Sequence, residues 1–334
     1  MLFNSIHFLI FFPTVVIIYY SIPHRYRWAM LLAASYYFYA SWRVEYLGLI
    51  ILSTVVDYWA ALRMSALSTR KERQPYLILS ILVNVGILVA FKYFNFFNDS
   101  FRFLSDQINF PFIIPYLDVL LPVGISFYTF QTMGYSIDVY RGQKEPEKHL
   151  GIFALYVSFF PQLVAGPIER SRHLLPQFHI EHKFDYDRIT SGLRRMMWGF
   201  FKKVVIADRL ALYVDAVYQD PDLSSGQAVI LATYFFAFQV YCDFSGYTDI
   251  ALGSAQVMGF DLMENFKRPF FSKSIPEFWQ RWHISLFSWF RDYIYIPLGG
   301  SRVVKWRWYF NIFVVFFIAG IWHGADWTFI AWGV

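Results

Sequence analysis

The chain has 334 residues, of which 57% are hydrophobic, 22% are aromatic and only 16% are charged. This composition excludes an ordinary soluble globular protein, because too little polar surface is present to cover one, and it indicates a protein that contacts membrane lipid. The formal net charge of +5 comes from short blocks of Lys and Arg between apolar spans, a pattern typical of cytoplasmic membrane loops, which excludes nucleic acid as a partner.

Apolar windows follow one another along the chain, and each predicts a helix in or against the membrane. They cover residues 3–22, 28–42, 44–62, 76–97, 117–140, 149–165, 200–218, 227–243, 244–260 and 308–325. Several are shorter than the roughly 20 residues that cross a bilayer as a straight helix. We therefore predict an all-α integral membrane protein in which some helices are tilted, broken, re-entrant or interfacial.

Basic residues between the windows indicate which loops face the cytoplasm. The basic loops at 63–73 and 141–148 are two windows apart, which predicts an amino terminus outside the cell. The window at 3–22 has no basic residue before it and is predicted to be a retained span, not a cleaved signal peptide. Without a repeat or a flexible linker, residues 1–334 are predicted to form a single membrane-embedded domain.

Two windows are predicted not to cross the membrane. The basic block at 170–203 follows only the window at 149–165, which Pro161 and a Gly-Pro pair interrupt, so we predict that this window dips into the bilayer and returns. The basic block at 267–307 lies in the cytoplasm only if the glycine-containing window at 244–260 also fails to cross fully.

One titratable side chain lies inside the last apolar window. Residues 308–325 contain no Asp, Glu, Lys or Arg, yet they include His323. A single helix over 307–326 would place this imidazole in the outer third of the bilayer. Burial of a titratable ring there is costly, which favours a functional histidine over one hydrogen-bonded into the bundle. Gly320 and Gly324 share one face and would admit either a neighbouring helix or a channel beside the ring.

A second histidine, His283, lies in an aromatic stretch. Read as one helix, residues 279–293 have a polar face and an aromatic face, which predicts a helix at the membrane surface. The polar face consists of Arg281, Ser285, Ser288 and Asp292. His283 points towards the aromatic side. The sequence spacing alone favours neither a functional histidine nor a buried structural one.

Other chemistry has no pattern in the sequence. We find no His, Cys or Asp cluster with metal-ligand spacing, no glycine-rich phosphate loop and no nucleophile elbow. The lone Cys242 excludes an internal disulfide. We therefore expect no metal and no permanently bound cofactor, which leaves acid-base chemistry by histidine.

Several stretches together resemble the membrane-bound O-acyltransferase family. They are residues 276–300, 320–325, 121–131, 161–168 and 243–251. The likeness covers nearly the whole chain and is closest to the bacterial branch that contains the alginate O-acetylation membrane subunit, with the teichoic-acid D-alanyl transfer protein more distant. The resemblance implies a ring of helices around a thinned centre, with an outer funnel and a donor passage from the cytoplasm.

The resemblance also implies roles for particular residues. His323 corresponds to the essential histidine and His283 to an upstream family position, so both are predicted to be catalytic. The predicted substrate-binding residues are Arg281, a candidate for donor phosphates, together with Trp282, Trp322, Asp243 and Asp249. Family members usually continue with further helices, so a chain that stops at Val334 is expected to be a truncated form.

The implied function is acyl transfer in the bacterial cytoplasmic (inner) membrane, which a multi-pass protein would perform. The donor would be acetyl-CoA or another acyl thioester, such as one on an acyl carrier protein. His323 would act as a general base while the acetyl group moves towards an extracytoplasmic polysaccharide, directly or through a partner acetyltransferase.

Three alternatives remain open at the level of sequence. The same mechanism could move D-alanine or a longer acyl chain. The chain could be a scaffold that docks a soluble acyltransferase. It could also be a transporter with a polar path through the membrane, although no paired inverted halves are found and satisfied packing groups explain such residues as well. The residues of that path would be Asp57, Asn84, Lys92, Asp138, Gln239, Asp243 and Asp249.

Overall fold

The computed structural model describes residues 1–110, 114–118, 121–164 and 166–334. The regular secondary structure of these residues is helical, and no β-strand occurs among them. The all-α class that the apolar windows predict is confirmed.

Helices α1 to α16 follow one another along the described residues. From the amino terminus to Tyr140 they are α1 (Ile6–Ser21), α2 (His24–Ala40), α3 (Leu47–Ser65), α4 (Arg70–Leu88), α5 (Phe94–Gln107) and α6 (Ile125–Tyr140). The later helices are α7 (Leu150–Ser158), α8 (Phe160–Leu163), α9 (Ser171–Leu174), α10 (Tyr186–Phe200), α11 (Asp208–Gln219), α12 (Gly226–Met258), α13 (Ile275–Arg281), α14 (Ile284–Phe290), α15 (Lys305–His323) and α16 (Trp327–Gly333). Segments of π-helix follow α4, α10 and α14 at Val89–Tyr93, Phe201–Ala207 and Arg291–Tyr295. Short 3₁₀ turns occur at Val44–Tyr46, Leu175–His179, Pro221–Leu223 and Pro269–Phe271.

The chain divides into two compact units, and each is discontinuous in sequence. Unit 1 consists of Met1–Leu47 and His149–Ser285, and unit 2 consists of Gly48–Lys148 and Leu286–Val334. The single domain over residues 1–334 stays a prediction.

Among the described residues, three helical stretches are long and apolar enough to cross a membrane. They are Val44–Ser65, Arg70–Gln107 and Gly226–Met258. The helices at Ile6–Ser21 and Leu150–Leu163 are apolar but shorter. This was expected for the window at 149–165, whereas the window at 3–22, predicted to be a retained span, forms a helix of only 16 residues.

The largest difference between the predicted windows and the structure is found at α12. The windows at 227–243 and 244–260, predicted as two segments with the second failing to cross, form one uninterrupted helix from Gly226 to Met258. One continuous helix allows a single crossing, so the count of crossings no longer requires a separate re-entrant segment at 244–260. Gly246 and Gly253, which suggested a break, instead lie at a helix contact, and Gly259 ends the helix with φ +100°.

A close contact between α10 and α12 organises unit 1. A Cβ atom on Gly199 would lie 2.6 Å from the carbonyl oxygen of Gly246, and one on Gly253 would lie 2.6 Å from the carbonyl oxygen of Gly192. The pairs run in opposite order along the two helices, which makes the helices antiparallel. Because all four positions lack a side chain, the two backbones approach closely.

We expect Gly253→Ala to destabilise unit 1 and to lower the melting temperature of the protein in detergent. The new Cβ would lie 2.6 Å from the Gly192 carbonyl oxygen and 2.9 Å from the Met196 nitrogen, and these backbone atoms can give way only if α10 moves. Overpacking of this kind typically costs about 1–3 kcal/mol. Thermal unfolding monitored by circular dichroism measures the effect.

Gly226→Ala in the first turn of the same helix is the matched control. Nothing lies within 4 Å of the Cβ that this substitution adds, so its stability should stay within about 0.5 kcal/mol of the wild type. Equal melting temperatures for the two variants would contradict a role for the glycine contact.

Two further windows differ from their predicted boundaries. The window at 149–165 is broken as expected, but the break falls at Phe159, and Pro161 lies in the first turn of α8. Proline is tolerated there because the first-turn N–H groups have no partner within the helix. The helix predicted at 117–140 begins at Ile125; residues 119–120 of that window, and residue 165 of the motif at 161–168, lie outside the described residues.

A buried polar network joins α3, α4 and α6 in unit 2. Asp57 is fully buried, and its carboxylate accepts hydrogen bonds from Asn84 Nδ2 at 2.8 Å, from Ser136 Oγ at 2.9 Å and from Ser80 Oγ. A carboxylate is tolerated inside protein only when such donors satisfy it. The network therefore favours the packing explanation of Asp57 and Asn84 over a solute path.

Candidate active site

His323 is the last residue of α15, so the helix predicted over 307–326 is too long at its carboxyl end. Gly324 is extended, with φ −160° and ψ 157°, and α15 ends before it. Asp326 then begins α16, because its side chain accepts a hydrogen bond from the backbone N–H of Thr328. The histidine thus stands at a helix end and not within a continuous helix.

The glycines beside His323 admit a neighbouring helix. A Cβ on Gly320 would lie 2.4 Å from the carbonyl oxygen of Phe329, and one on Gly324 would lie 2.1 Å from the ring of the same residue. Of the two predicted uses of this glycine pair, the structure shows close packing of α16 against α15.

Aromatic rings surround the imidazole of His323. The Trp322 ring lies edge-on with its centroid at 5.0 Å, the Trp332 ring lies edge-on at 5.2 Å, and the Phe329 ring is nearly parallel at 6.5 Å. Trp322 itself is buried against Phe130. The side chain of His323 is nevertheless exposed, so the ring is held in place while it remains accessible.

Unit 2 contains a cleft of ≈ 760 Å³. One of the residues that line it, Ala325, lies two positions after His323 in the chain. Its polar lining consists of Lys92, Asn95, Asp99, Ser100 and Asp326, and its apolar lining consists of Phe96, Phe103, Leu104, Ala325 and Trp327. Flat aromatic faces beside hydrogen-bonding groups suit a ligand that is polar at its edges and apolar on its faces.

The single helix predicted over 279–293 is wrong, because the chain breaks at Trp282 and His283. Helix α13 ends at Arg281, His283 has φ +45°, and α14 begins at Ile284. The predicted water-facing side is wrong at Ser285, which is fully buried. Sequence periodicity missed the break, since nothing local marks a histidine with left-handed backbone.

Asn265 holds this break in place. Its Oδ1 accepts hydrogen bonds from the backbone N–H of Ser285 at 3.2 Å and from Ser285 Oγ at 3.0 Å, and it lies 3.1 Å from His283 Nδ1. Because the Ser285 N–H can only donate, the shared Asn265 atom must be an acceptor, and His283 Nδ1 must carry a proton. In a neutral ring the lone pair is then on Nε2.

His283 is enclosed in unit 1. Its side chain is 1% exposed, and the Phe244 ring lies edge-on at 4.7 Å. The adjoining Trp282 packs among aromatic side chains, with the Phe278 ring stacked at 5.6 Å and the Phe266 ring at 5.2 Å. The structure therefore places both residues in an aromatic cluster, in which His283 is buried and Trp282 is half-buried.

A basic cleft of ≈ 510 Å³ lies beside that cluster in unit 1. Its charged lining consists of Arg195, Lys202, Lys267, Arg268, Arg281, Asp249 and Glu264. Cations outnumber carboxylates, so the cleft attracts anions. Trp198, Tyr241 and Phe266 add aromatic side chains to the lining.

Some of these cations have carboxylate partners and others do not. Arg195 bonds Asp249 at 3.0 Å and Glu264 at 2.8 Å, and Arg281 bonds Glu277, outside the cleft lining, at 2.5 Å. By contrast, Lys267 and Arg268 are exposed and form no ion pair with any residue that the structure describes. These two are the cations most readily offered to a bound anion.

The two aspartates of α12 that were predicted to bind substrate, Asp243 and Asp249, have different surroundings in the structure. Asp249 lines the basic cleft with Arg281 and pairs with Lys202 at 2.5 Å. Asp243 is not part of the cleft lining and pairs instead with Lys203. Sequence reasoning identified Arg281 and Asp249 but missed the other cations, since residues far apart in the chain form this cleft.

A histidine outside the predicted site bridges two carboxylates. His173 Nδ1 lies 2.9 Å from buried Glu169 and its Nε2 lies 3.3 Å from Asp261. Burial raises the pKa of Glu169, and the hydrogen bond to Glu169 raises the pKa of His173. In the described part of the chain, no group of three or more His, Cys, Asp and Glu side chains is arranged to hold a metal ion.

The sequence was compared with known proteins. The sequence model of MBOAT, the membrane-bound O-acyltransferase family, matches residues 149–334. The chain is similar to the probable alginate O-acetylase AlgI of Azotobacter vinelandii, with 45% identity over 100% of this chain and 66% of that protein. It is also similar to the peptidoglycan O-acetyltransferase of Helicobacter pylori, with 37% identity over 91% of this chain and 62% of that protein.

A more distant relative is the teichoic acid D-alanyltransferase of Bacillus subtilis, with 30% identity over 64% of this chain and 56% of that protein. The chain thus spans about two thirds of the length of the first relatives and somewhat less of the others.

Proposed function

This chain belongs to the membrane-bound O-acyltransferase family, and from that premise we propose that it moves an acetyl group from a cytoplasmic acyl thioester towards an extracytoplasmic polysaccharide. The transfer is direct or passes through a partner acetyltransferase. The names of the relatives make alginate the first acceptor to test and peptidoglycan the second. The protein is a multi-pass membrane protein, and we assign it to the bacterial cytoplasmic membrane.

The exposed imidazole of His323 at the end of an apolar helix carries this proposal. An uncharged imidazole takes the proton of the acceptor hydroxyl while the hydroxyl oxygen bonds to the thioester carbonyl carbon. The C–S bond then breaks, and the leaving thiolate recovers the proton from the imidazolium. The products are an ester and a free thiol, and the histidine returns to its starting form.

The basic cleft of unit 1 is proposed as the site that binds the phosphates of the donor. Arg281 was predicted for this role, and the cleft adds Lys267 and Arg268 to it. Charge-assisted hydrogen bonds from Lys and Arg are the usual means of holding phosphate oxygens. Trp198 and Tyr241 provide aromatic faces for the adenine of acetyl-CoA, which a carrier-protein arm lacks.

The cleft of unit 2 is proposed to receive the acceptor. Sugar rings present hydroxyl groups at their edges and C–H groups on their faces. Asn95 and Asp99 can bond hydroxyls, while Phe96 and Trp327, with ring centroids 5.4 Å apart, can cover a sugar face. The position of this cleft next to the segment that follows His323 supports the assignment.

D-alanyl transfer is the second candidate, because the B. subtilis relative is named for it. The mechanism would be the same, and the donor would decide between the two. The catalytic role of His283 and the substrate contacts of Trp282, Trp322 and Asp243 stay predictions. The enclosed ring of His283 supports a role in shaping the donor side more than direct contact with substrate.

Labelled donor tests the proposed activity. Full-length protein purified in detergent is mixed with acetyl-CoA that carries a radioactive acetyl group. An enzyme is expected to release labelled acetate slowly, or to transfer the label to added alginate oligosaccharide or to itself. A scaffold leaves all label on acetyl-CoA, and a D-alanyltransferase instead consumes D-alanyl carrier protein.

Charge reversal in the basic cleft tests the donor site. We expect Lys267→Glu combined with Arg268→Glu to raise the KM for acetyl-CoA at least about tenfold, because a hydrogen bond to a charged group contributes about 1.5–3 kcal/mol. Lys183→Glu reverses another exposed charge of unit 1 outside the cleft lining and should leave KM unchanged. The same KM for both proteins would refute this placement of the donor.

A further inference from the structure

The long apolar helix Arg70–Gln107 contains an irregular turn beside the end of α15. Residues Val89–Tyr93 are π-helical, while α4 before them and α5 after them are regular. Single π turns inside α-helices often occur at functional sites, because they change which side chains face a neighbour. In this protein the π turn directs two consecutive side chains, Lys92 and Tyr93, to the same target.

That target is the carboxyl end of the helix that carries His323. Tyr93 Oη donates a hydrogen bond to the Ile321 carbonyl oxygen at 2.5 Å, and Lys92 Nζ donates one to the Trp322 carbonyl oxygen. The last carbonyl groups of a helix have no partner within it. The two side chains therefore satisfy the carbonyl groups of the two residues that precede His323.

Lys92 also brings a positive charge to this helix end. The Trp322 carbonyl belongs to the peptide bond that joins Trp322 to His323, so the ammonium group is fixed beside the histidine. Cations are favoured at helix carboxyl termini. Lys92 forms no ion pair with a carboxylate in residues 1–110, 114–118, 121–164 or 166–334, so its charge is not neutralised by direct contact there.

The other groups around His323 are weaker electrostatic influences. Helix α16 presents the uncharged rings of Phe329 and Trp332. Asp326 lies in the following turn but is exposed, where water screens its charge. Asp99 of α5 lines the same cleft as Lys92 and bonds the Tyr116 hydroxyl at 2.6 Å. Lys92 is thus the charged group held against the peptide of His323.

We propose that Lys92 is a positioning residue for His323, which anchors the end of α15 and keeps the imidazole uncharged at working pH. The proposal rests on the proposed function, in which His323 acts as general base. The surrounding aromatic rings exclude water and so disfavour the imidazolium form, and the nearby like charge disfavours it further, so the histidine stays able to accept a proton in more acidic solution. Tyr93 shares the anchoring without contributing charge.

The pH dependence of two reactions tests this proposal in full-length protein. The first is the rate of acetyl transfer. The second is the rate at which diethyl pyrocarbonate modifies His323, read by mass spectrometry, since this reagent acylates only the uncharged ring. In Lys92→Met we expect the acidic limb of both pH profiles to shift to higher pH by about one pH unit.

Two variants separate charge from anchoring. Lys92→Arg keeps the positive charge and should restore both acidic limbs to within a few tenths of a pH unit of wild type. Tyr93→Phe removes one carbonyl partner but no charge, so the rate should fall without a shift in either limb. Melting temperatures in detergent show that each variant is folded, and the modification profile still reads the charge of His323 in a variant with little activity.

The outcomes are distinct. If Lys92→Met leaves the modification profile of His323 unchanged, the electrostatic role of Lys92 is wrong, whatever happens to the rate. If Lys92→Met shifts that profile while His323→Ala keeps full transfer activity, the proposed function fails and the influence of Lys92 on the ring stands. Parallel shifts in both profiles, with loss of activity in His323→Ala, support both.

Discussion

His323→Ala is expected to reduce acetyl transfer by about 10²–10⁴-fold, the usual contribution of a general base. The imidazole ends α15 and is exposed, so its removal takes away the proton acceptor without opening a cavity in the core. The measurement is the initial rate of label transfer from acetyl-CoA in membranes that contain equal amounts of each protein. The KM for the donor should change little, because His323 is not one of the residues that line the proposed donor cleft.

His7→Ala is the matched control for this experiment. His7 is also an exposed histidine of an apolar helix, α1, and its Nε2 lies 2.9 Å from the Tyr37 hydroxyl. Its loss should leave the rate within about twofold of wild type, as for most surface substitutions. A His323→Ala protein as active as His7→Ala would show that acyl transfer does not use this histidine.

Asn265→Leu is expected to cause the largest loss of stability among the variants considered. Leucine has nearly the same shape but leaves three buried hydrogen-bonding groups without their shared acceptor, namely the Ser285 N–H, the Ser285 hydroxyl and the His283 ring. Removing a hydrogen-bond partner from a buried polar group costs about 1–3 kcal/mol, so the loss of these three bonds should total on the order of 3 kcal/mol. Thermal unfolding in detergent measures it.

Asn265→Asp is the informative comparison, because it keeps an acceptor oxygen where Oδ1 stands. It should recover much of the stability that Asn265→Leu loses, because its oxygen can accept hydrogen bonds from the same three donors. Ser285→Ala removes one of the three donors and should cost about 1 kcal/mol. If Asn265→Leu melted like Ser285→Ala, the asparagine would not be the centre of this network.

Some features could be read from local pattern. The apolar windows located most of the long apolar helices, because the sequence must match the bilayer wherever the chain crosses it, but they did not cover α10, α13 or α14. Helix ends were less predictable. The glycines of α12 suggested an interruption, yet Gly246 and Gly253 face Gly199 and Gly192 across a helix contact. Glycine removes a side chain in both situations, so its meaning depends on what lies opposite.

The candidate site shows the same division. His323 stood out in the sequence because an ionisable ring is rare in an apolar run. The role of Asn265 could not be predicted, since it depends on contacts between loops that sequence spacing does not reveal. Lys92 was predicted only as a polar group of a path or of packing, and its bond to the Trp322 carbonyl joins residues 230 positions apart.

The amino-acid sequence by itself determined that this protein is an α-helical membrane protein, which motifs it contains and which histidine is unusual, because composition and periodicity act over short stretches of chain. Only the tertiary structure decided that α12 is one helix, that Arg281 and Asp249 share a basic cleft, and that Lys92 supports the end of α15. These features come from contacts between distant segments, which are fixed when helices pack and buried polar groups find their partners.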